Sequence, residues 1–203
     1  MRSVLLPDEE VRATIEVADG RLMNDDEYFA FCMANPDLRI EREANGVILI
    51  VPPTGGEAGY RNSDLNFQLT AWARRDGKGR AFDSNTEYIL PNGAARSPDA
   101  SWVSEGRLAA LSKEQKKVFL PLCPEFVVEL TSPSDRLNNV KSKMEEWMAN
   151  GAQLGWLIDA DRRTLYIYRP GQAPEELADP DSVTGEGPVE GFRLELQEIW
   201  TGL

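Results

Sequence analysis

Apolar residues recur along this chain with two distinct periods. In SDLNFQLTAWARR, Leu65, Leu69 and Trp72 return at helical spacing and predict a helix with one buried stripe. Leu137, Val140, Met144, Trp147 and Met148 do the same. They predict a helix that starts at Ser132 to Asp135 and runs to Asn150, with Gly151 as its C-terminal stop. Asn24, with Glu27 three residues on, has the form of a capping box opening DDEYFAFCMAN, a short helix closed near Pro36. Shorter apolar runs predict strands: LRIER and VILIVP around a turn at Asn45-Gly46, then RAFDSNTEYIL, DASWV and EFVVEL, then LGWLID and TLYIYRP around Ala160-Asp161. LSKEQKKVF predicts a polar helix before EFVVEL, and the tail after Glu176 predicts turns with short strands. These elements make one α/β domain, a mixed β-sheet flanked by helices.

Two acids interrupt runs that otherwise belong to a core. Glu129 sits in FVVEL, and Asp99, behind Pro98, opens the strand in SPDASWV. A buried ionised carboxylate is costly unless it is paired, hydrogen-bonded or bound to a metal. Adjacent strands bring two such groups within reach of one hard cation; a structural salt bridge is the alternative. On the second helix, at ~100° per residue, Lys143 and Lys141 flank opposite edges of the apolar stripe. Periodicity does not choose between them. A lysine bordering such a stripe contributes mainly the packing of its stem, so Lys143→Ala is expected to cost little stability.

Composition narrows the chemistry. At 203 residues, 41% hydrophobic and 28% charged, the chain suits a single soluble domain with a sizeable core. Histidine is absent, which removes Ser-His-Asp and Cys-His catalysis and leaves oxygen ligands for any metal. Cys32 and Cys123 are isolated in apolar contexts and suit a reducing compartment. No apolar stretch is long enough to span a membrane, and MRSVLLPDEE lacks the apolar core of a secretory signal, so the expected location is cytoplasmic. PPTGGE lacks both glycine-rich phosphate-binding patterns and predicts a turn. A net charge of −12 argues against non-specific nucleic-acid binding, which rests on neutralising phosphates.

From about Asn35 to Trp200, the ordered landmarks NPDLRIER, PPTGGE, LPNGAARSPD, VVELTSPSD, KMEEW, LGWLID, IYRPG and GFRLEL resemble the Uma family of the PD-(D/E)XK nuclease superfamily. The resemblance implies a restriction-endonuclease-like core in a single domain, residues 1–203, with 1–23 as an N-terminal extension and 24–203 as core. It implies a metal-dependent endonuclease hydrolysing phosphodiester bonds of DNA; a catalytically inactive nuclease-fold interaction module is the rival. Asp99 matches the Asp of the family's PD, and Glu129 the acid of its E-x-x-S. Lys143 matches a lysine on the following helix, because the superfamily's usual lysine position is Thr131 here. Glu41 matches the N-terminal acid, with Glu43 close by, and Trp147 stands where tyrosine is common, as a variation in packing.

The implied metal is Mg²⁺ or Mn²⁺, held by Asp99, Glu129 and the carbonyl of Leu130, with Lys143 and Glu41 completing the catalytic set. The implied partners are nucleic acid, in the first place DNA, and a second copy in a homodimer; no membrane is expected. Arg42, Arg61, Arg96, Arg136, Lys141 and Lys143 lie close in sequence to these segments and are expected to supply a local positive patch.

Overall fold

The structure, a computed structural model, describes residues 11–14, 21–132 and 136–203. The chain first lays down β1 (Val11–Thr14), α1 (Asp25–Ala34), β2 (Arg39–Arg42) and β3 (Val47–Val51). Asn24 and Glu27 form the capping box, each side chain accepting from the other's backbone N–H at 2.9 Å. Gly46 closes the β2–β3 turn with φ +84°, a conformation that glycine adopts without strain. Next come α2 (Gly56–Asp76), β4 (Gly79–Asp83), β5 (Tyr88–Ile89), β6 (Ala95–Arg96), β7 (Ala100–Ser104) and α3 (Glu105–Ala110). The chain continues through β8 (Phe126–Leu130), α4 (Leu137–Ala149), β9 (Leu154–Asp159), β10 (Thr164–Tyr168) and β11 (Glu175–Ala178). It ends with β12 (Ser182–Thr184), β13 (Arg193–Glu195) and α5 (Gln197–Thr201).

Six strands in the order β11-β10-β9-β8-β7-β4 form the main sheet. Its β8–β9 pair is parallel and the others are antiparallel, so the sheet is mixed. A second sheet, β1-β3-β2-β6-β5, lies beside it, and β6 leads through Ser97 and Pro98 into β7. The two main helices cover opposite faces of the six-stranded sheet. Leu65, Leu69 and Trp72 of α2 pack in one cluster with Trp102, Phe126 and Trp156. Met144 and Trp147 of α4 pack in another with Val103, Val127 and Leu157. Each such large apolar side chain contributes roughly 1.5–3 kcal/mol of burial. Strand alternation sends Phe126, Val128 and Leu130 to the α2 side, leaving Val127 and Glu129 facing α4.

Three expected elements differ. RAFDSNTEYIL is not one strand: the Asp83 side chain accepts from Asn85 N and Thr86 Oγ1 and turns the chain, so that β5 joins the smaller sheet. LSKEQKKVF holds only one 3₁₀ turn, Gln115–Lys117, because the Ser112 hydroxyl accepts from the backbone of Glu114 and Gln115. The helix in this region lies earlier, as α3, capped by Ser104. The expected start of the last long helix falls partly on residues 133–135, outside the described residues; α4 is described from Leu137 and ends before Gly151 at φ +111°.

Candidate active site

Glu129 is buried on β8, and α4 meets it with two side chains four residues apart on one helix face. Trp147 Nε1–H donates to Glu129 Oε1 at 2.8 Å, and the Lys143 ammonium lies 3.1 Å from the same oxygen. Lys143 reaches beyond it to Glu41 Oε1 on β2 at 3.0 Å and to the Ser97 carbonyl at 3.2 Å. Glu41 is also buried; it accepts the Ser97 N–H at 3.1 Å and faces Arg96 Nη1 at 3.3 Å. Arg96 in turn donates through Nε to Glu146 of α4 at 2.6 Å. The smaller sheet, the main sheet and α4 therefore meet in one charged network.

Asp99 stands at the start of β7, partly exposed. Its Oδ2 accepts the Leu130 N–H at 2.8 Å, and its Oδ1 accepts from Asn62 Nδ2 of α2 at 3.1 Å. Asn66, one turn on, donates to the Asp99 carbonyl at 2.9 Å. The other end of the Asn62 amide, Oδ1, is buried and has no hydrogen-bond partner among the described residues. A cleft of about 280 Å³, lined by Thr54, Asn62, Ser63, Asn66, Asp83 and Ser84 among others, opens beside it.

Electrostatics divide the acids. Burial pushes Glu129 up to about 7; Lys143 opposes this, while the Asp99 and Glu41 carboxylates add to it. Burial also raises Asp99 against the pull of the Leu130 N–H. Glu41 goes the other way: burial opposes its ionisation, but Lys143, Arg96 and the Ser97 N–H hold it below the usual carboxylate range. Lys143 is held firmly protonated, its desolvation outweighed by Glu129 and Glu41. The network sets two cations, Lys143 and Arg96, against Glu41, Glu146 and Glu129 with Asp99 beside them, so the negative charge of Glu129 and Asp99 is not fully compensated.

That imbalance is what a hard divalent cation relieves, so Asp99 and Glu129 fit such an ion. Among the described residues, no three Asp, Glu or Cys side chains form a group able to hold a metal. A cation held by Asp99 and Glu129 would need further oxygen donors, such as a main-chain carbonyl and water.

All four acidic and basic residues singled out from the sequence, Glu41, Asp99, Glu129 and Lys143, thus lie in or beside one network. Glu43 is instead in the β2–β3 turn and accepts from Asn45. Thr131 turns its hydroxyl to the Ile158 carbonyl at 3.4 Å. Half of the expected basic patch is engaged elsewhere: Arg42 with Asp25 and the Tyr28 ring, Arg61 with Glu57, Lys141 over the Tyr166 ring. Two expectations need correction. Trp147 is more than packing, because its N–H holds Glu129. Lys143 contributes more than its stem, because its ammonium lies between two buried carboxylates. Asn62, Asn66 and Ser97 were not singled out: the two asparagines border the apolar stripe of α2 and look in sequence like part of its solvated edge.

Residues 25–197 match the model of a family described as Uma2, putative restriction endonuclease. No curated protein matches the chain. Among solved structures, the chain is similar to the crystal structure of a putative nuclease belonging to DUF820 from Anabaena variabilis ATCC 29413. The two are 21% identical with a TM-score of 0.73, over 88% of this chain and 98% of that one. At that identity the likeness concerns the fold, a restriction-endonuclease-like mixed sheet flanked by helices.

Proposed function

Because this chain belongs to the Uma2 family of putative restriction endonucleases, we propose that it is a metal-dependent endonuclease hydrolysing phosphodiester bonds of DNA. The observation that carries this reading is the position of Lys143, bonded to Glu129 and Glu41 within electrostatic reach of Asp99. In the proposal, Asp99, Glu129 and the Leu130 carbonyl hold Mg²⁺ or Mn²⁺. When bound, such a cation neutralises charge on the phosphoryl oxygens and acidifies water. Lys143 orients the attacking water or stabilises charge that develops on the phosphoryl group, already positioned and already protonated. Glu41, with Arg96 behind it, fixes the lysine. Trp147 fixes Glu129 from the other side. A homodimer in the cytoplasm presenting two such sites to a duplex completes the proposal.

The competing reading is a catalytically inactive interaction module. It draws support from the net charge of −12 and from Glu129, whose two oxygens already have protein donors. A cleavage assay with Mg²⁺ and Mn²⁺ on duplex DNA, single-stranded DNA and RNA separates the two. The nuclease reading expects divalent-dependent cleavage that Asp99→Asn, Glu129→Gln and Lys143→Ala each abolish. A wild type that neither cuts nucleic acid nor gains thermal stability from divalent ions sinks it.

A further inference from the structure

Arg39 is an arginine whose guanidinium binds no group among the described residues. Strand alternation on β2 puts it on the same face as Glu41, two residues away. The β2–β6 pairing, Arg42 with Ala95, runs the following chain antiparallel to β2. That chain passes Glu41 at Ser97, whose N–H bonds Glu41 Oε1, and Asp99 follows two residues later, close enough for the Arg39 charge to act on its carboxylate. The Arg39 side chain has no ion pair or hydrogen bond among the described residues, its Nε is buried without a partner, and the residue remains partly open to solvent. Arg42 and Arg61 have orphaned Nε atoms too, but each spends its guanidinium on a carboxylate, at 2.5 Å and 2.9 Å.

A guanidinium stays charged and presents a rigid fork of five donors, so leaving it unpaired in a part-buried place is costly. The acids within electrostatic range do not quench it. Burial pushes Glu87 up to about 8, so that it is largely protonated at neutral pH, and Asp99 is the candidate metal ligand. What the fork lacks is an anion with two coplanar oxygens, and a phosphodiester supplies them.

We propose that Arg39 is the phosphate anchor of this site, binding a non-bridging oxygen pair of the nucleic-acid backbone beside Asp99. The assignment rests on the nuclease reading and gives the acidic chain a local contact for its substrate. Arg39 positions the backbone and takes no part in proton transfer.

The test is duplex-DNA affinity with Ca²⁺ replacing Mg²⁺, measured across a salt series for wild type, Arg39→Ala and Arg39→Lys. Arg39→Ala is expected to bind about tenfold more weakly, and its slope of log affinity against log salt to be smaller by about 0.9, the loss of one phosphate contact. Arg39→Lys keeps the charge and is expected to keep the slope with intermediate affinity. Thermal stability is expected to be no lower than wild type in both variants, and the thermal shift with Mn²⁺ to match it, since the Arg39 side chain binds no protein partner. Arg39→Ala with wild-type affinity and slope overturns the assignment while leaving the nuclease reading standing. A weakened Arg39→Ala with unchanged slope overturns it as well, because the loss is then structural. A wild type that binds no duplex with any divalent ion overturns both.

Discussion

Replacing Lys143 by methionine keeps the packed stem and deletes the ammonium. In the wild type that ammonium lies 3.0 Å from Glu41 and 3.1 Å from Glu129, and both carboxylates are about 5% exposed or less. Removing one partner of a buried pair typically costs about 3–5 kcal/mol, because the other charge stays buried and uncompensated. The cost should depend on pH in a definite direction. Glu129 already titrates at about 7 with Lys143 present, above its unfolded value of 4.5. Between those values the folded protein binds more protons than the unfolded chain, so stability falls as pH rises and levels off near pH 7. Without Lys143 the Glu129 value moves higher, and the fall continues past pH 7 at about 1.4 kcal/mol per unit until the new value is reached.

Lys143→Met should therefore already lose at pH 6 what the lysine contributes to ionised Glu41, and about 2 kcal/mol more at pH 8.5 as Glu129 is forced to ionise. Urea unfolding of both proteins at the two pH values, followed by tryptophan fluorescence, measures the difference directly. A loss that is the same at both, or below about 1 kcal/mol at pH 8.5, refutes the claim that this lysine neutralises buried carboxylates. It would return Lys143 to a stem-packing role.

Glu87, 6% exposed and bonded by the Tyr28 hydroxyl at 2.7 Å, is pushed up to about 8 by burial and costs stability as pH rises from 4.5 through 8. Glu87→Gln should match wild type near pH 5 and melt at higher temperature above pH 8; parallel pH profiles count against it. Gly79→Ala should unfold or severely destabilise the protein, since a Cβ there collides with the Trp102 ring and the Val103 carbonyl. Gly155→Ala should cost only about 1–2 kcal/mol, because its nearest obstacle is the end of the flexible Met144 side chain. Melting temperatures in that opposite order would show the main sheet to be packed otherwise.

Features set by local chemistry were legible in the chain. The Asn24–Glu27 capping box, the Asn45-Gly46 turn and the apolar stripes of α2 and α4 need only neighbours within a few residues. Asp99 and Glu129 stood out because a carboxylate in an apolar run demands an explanation. What sequence hid was long-range. Asn62 meets Asp99 across 37 positions, and Lys143 meets Glu41 across 102, and no periodicity encodes either meeting. EYIL was assigned to the strand before it because nothing in its composition says that an aspartate-centred turn sends it to the other sheet. Trp147 looked like stripe filler because a buried indole reveals its N–H partner only when the facing strand is known.

Net charge is likewise a poor guide to one site, because it averages over distances that solvent screens. At physiological ionic strength the field of an exposed charge decays over about 8 Å, so most of the acidic surface is muted at the site. The local balance is different. Glu41, Asp99, Glu129 and Glu146 set four carboxylates against Arg96, Lys143 and, in the assignment made here, Arg39. With Asp99 and Glu129 both ionised, one negative charge is in excess, and one divalent cation bound to them would reverse it to one positive. Because these groups are largely buried, the reversal is screened far less than the surface charge around it. An acidic chain can therefore present an anion-binding site, provided that the site is loaded before the anion arrives.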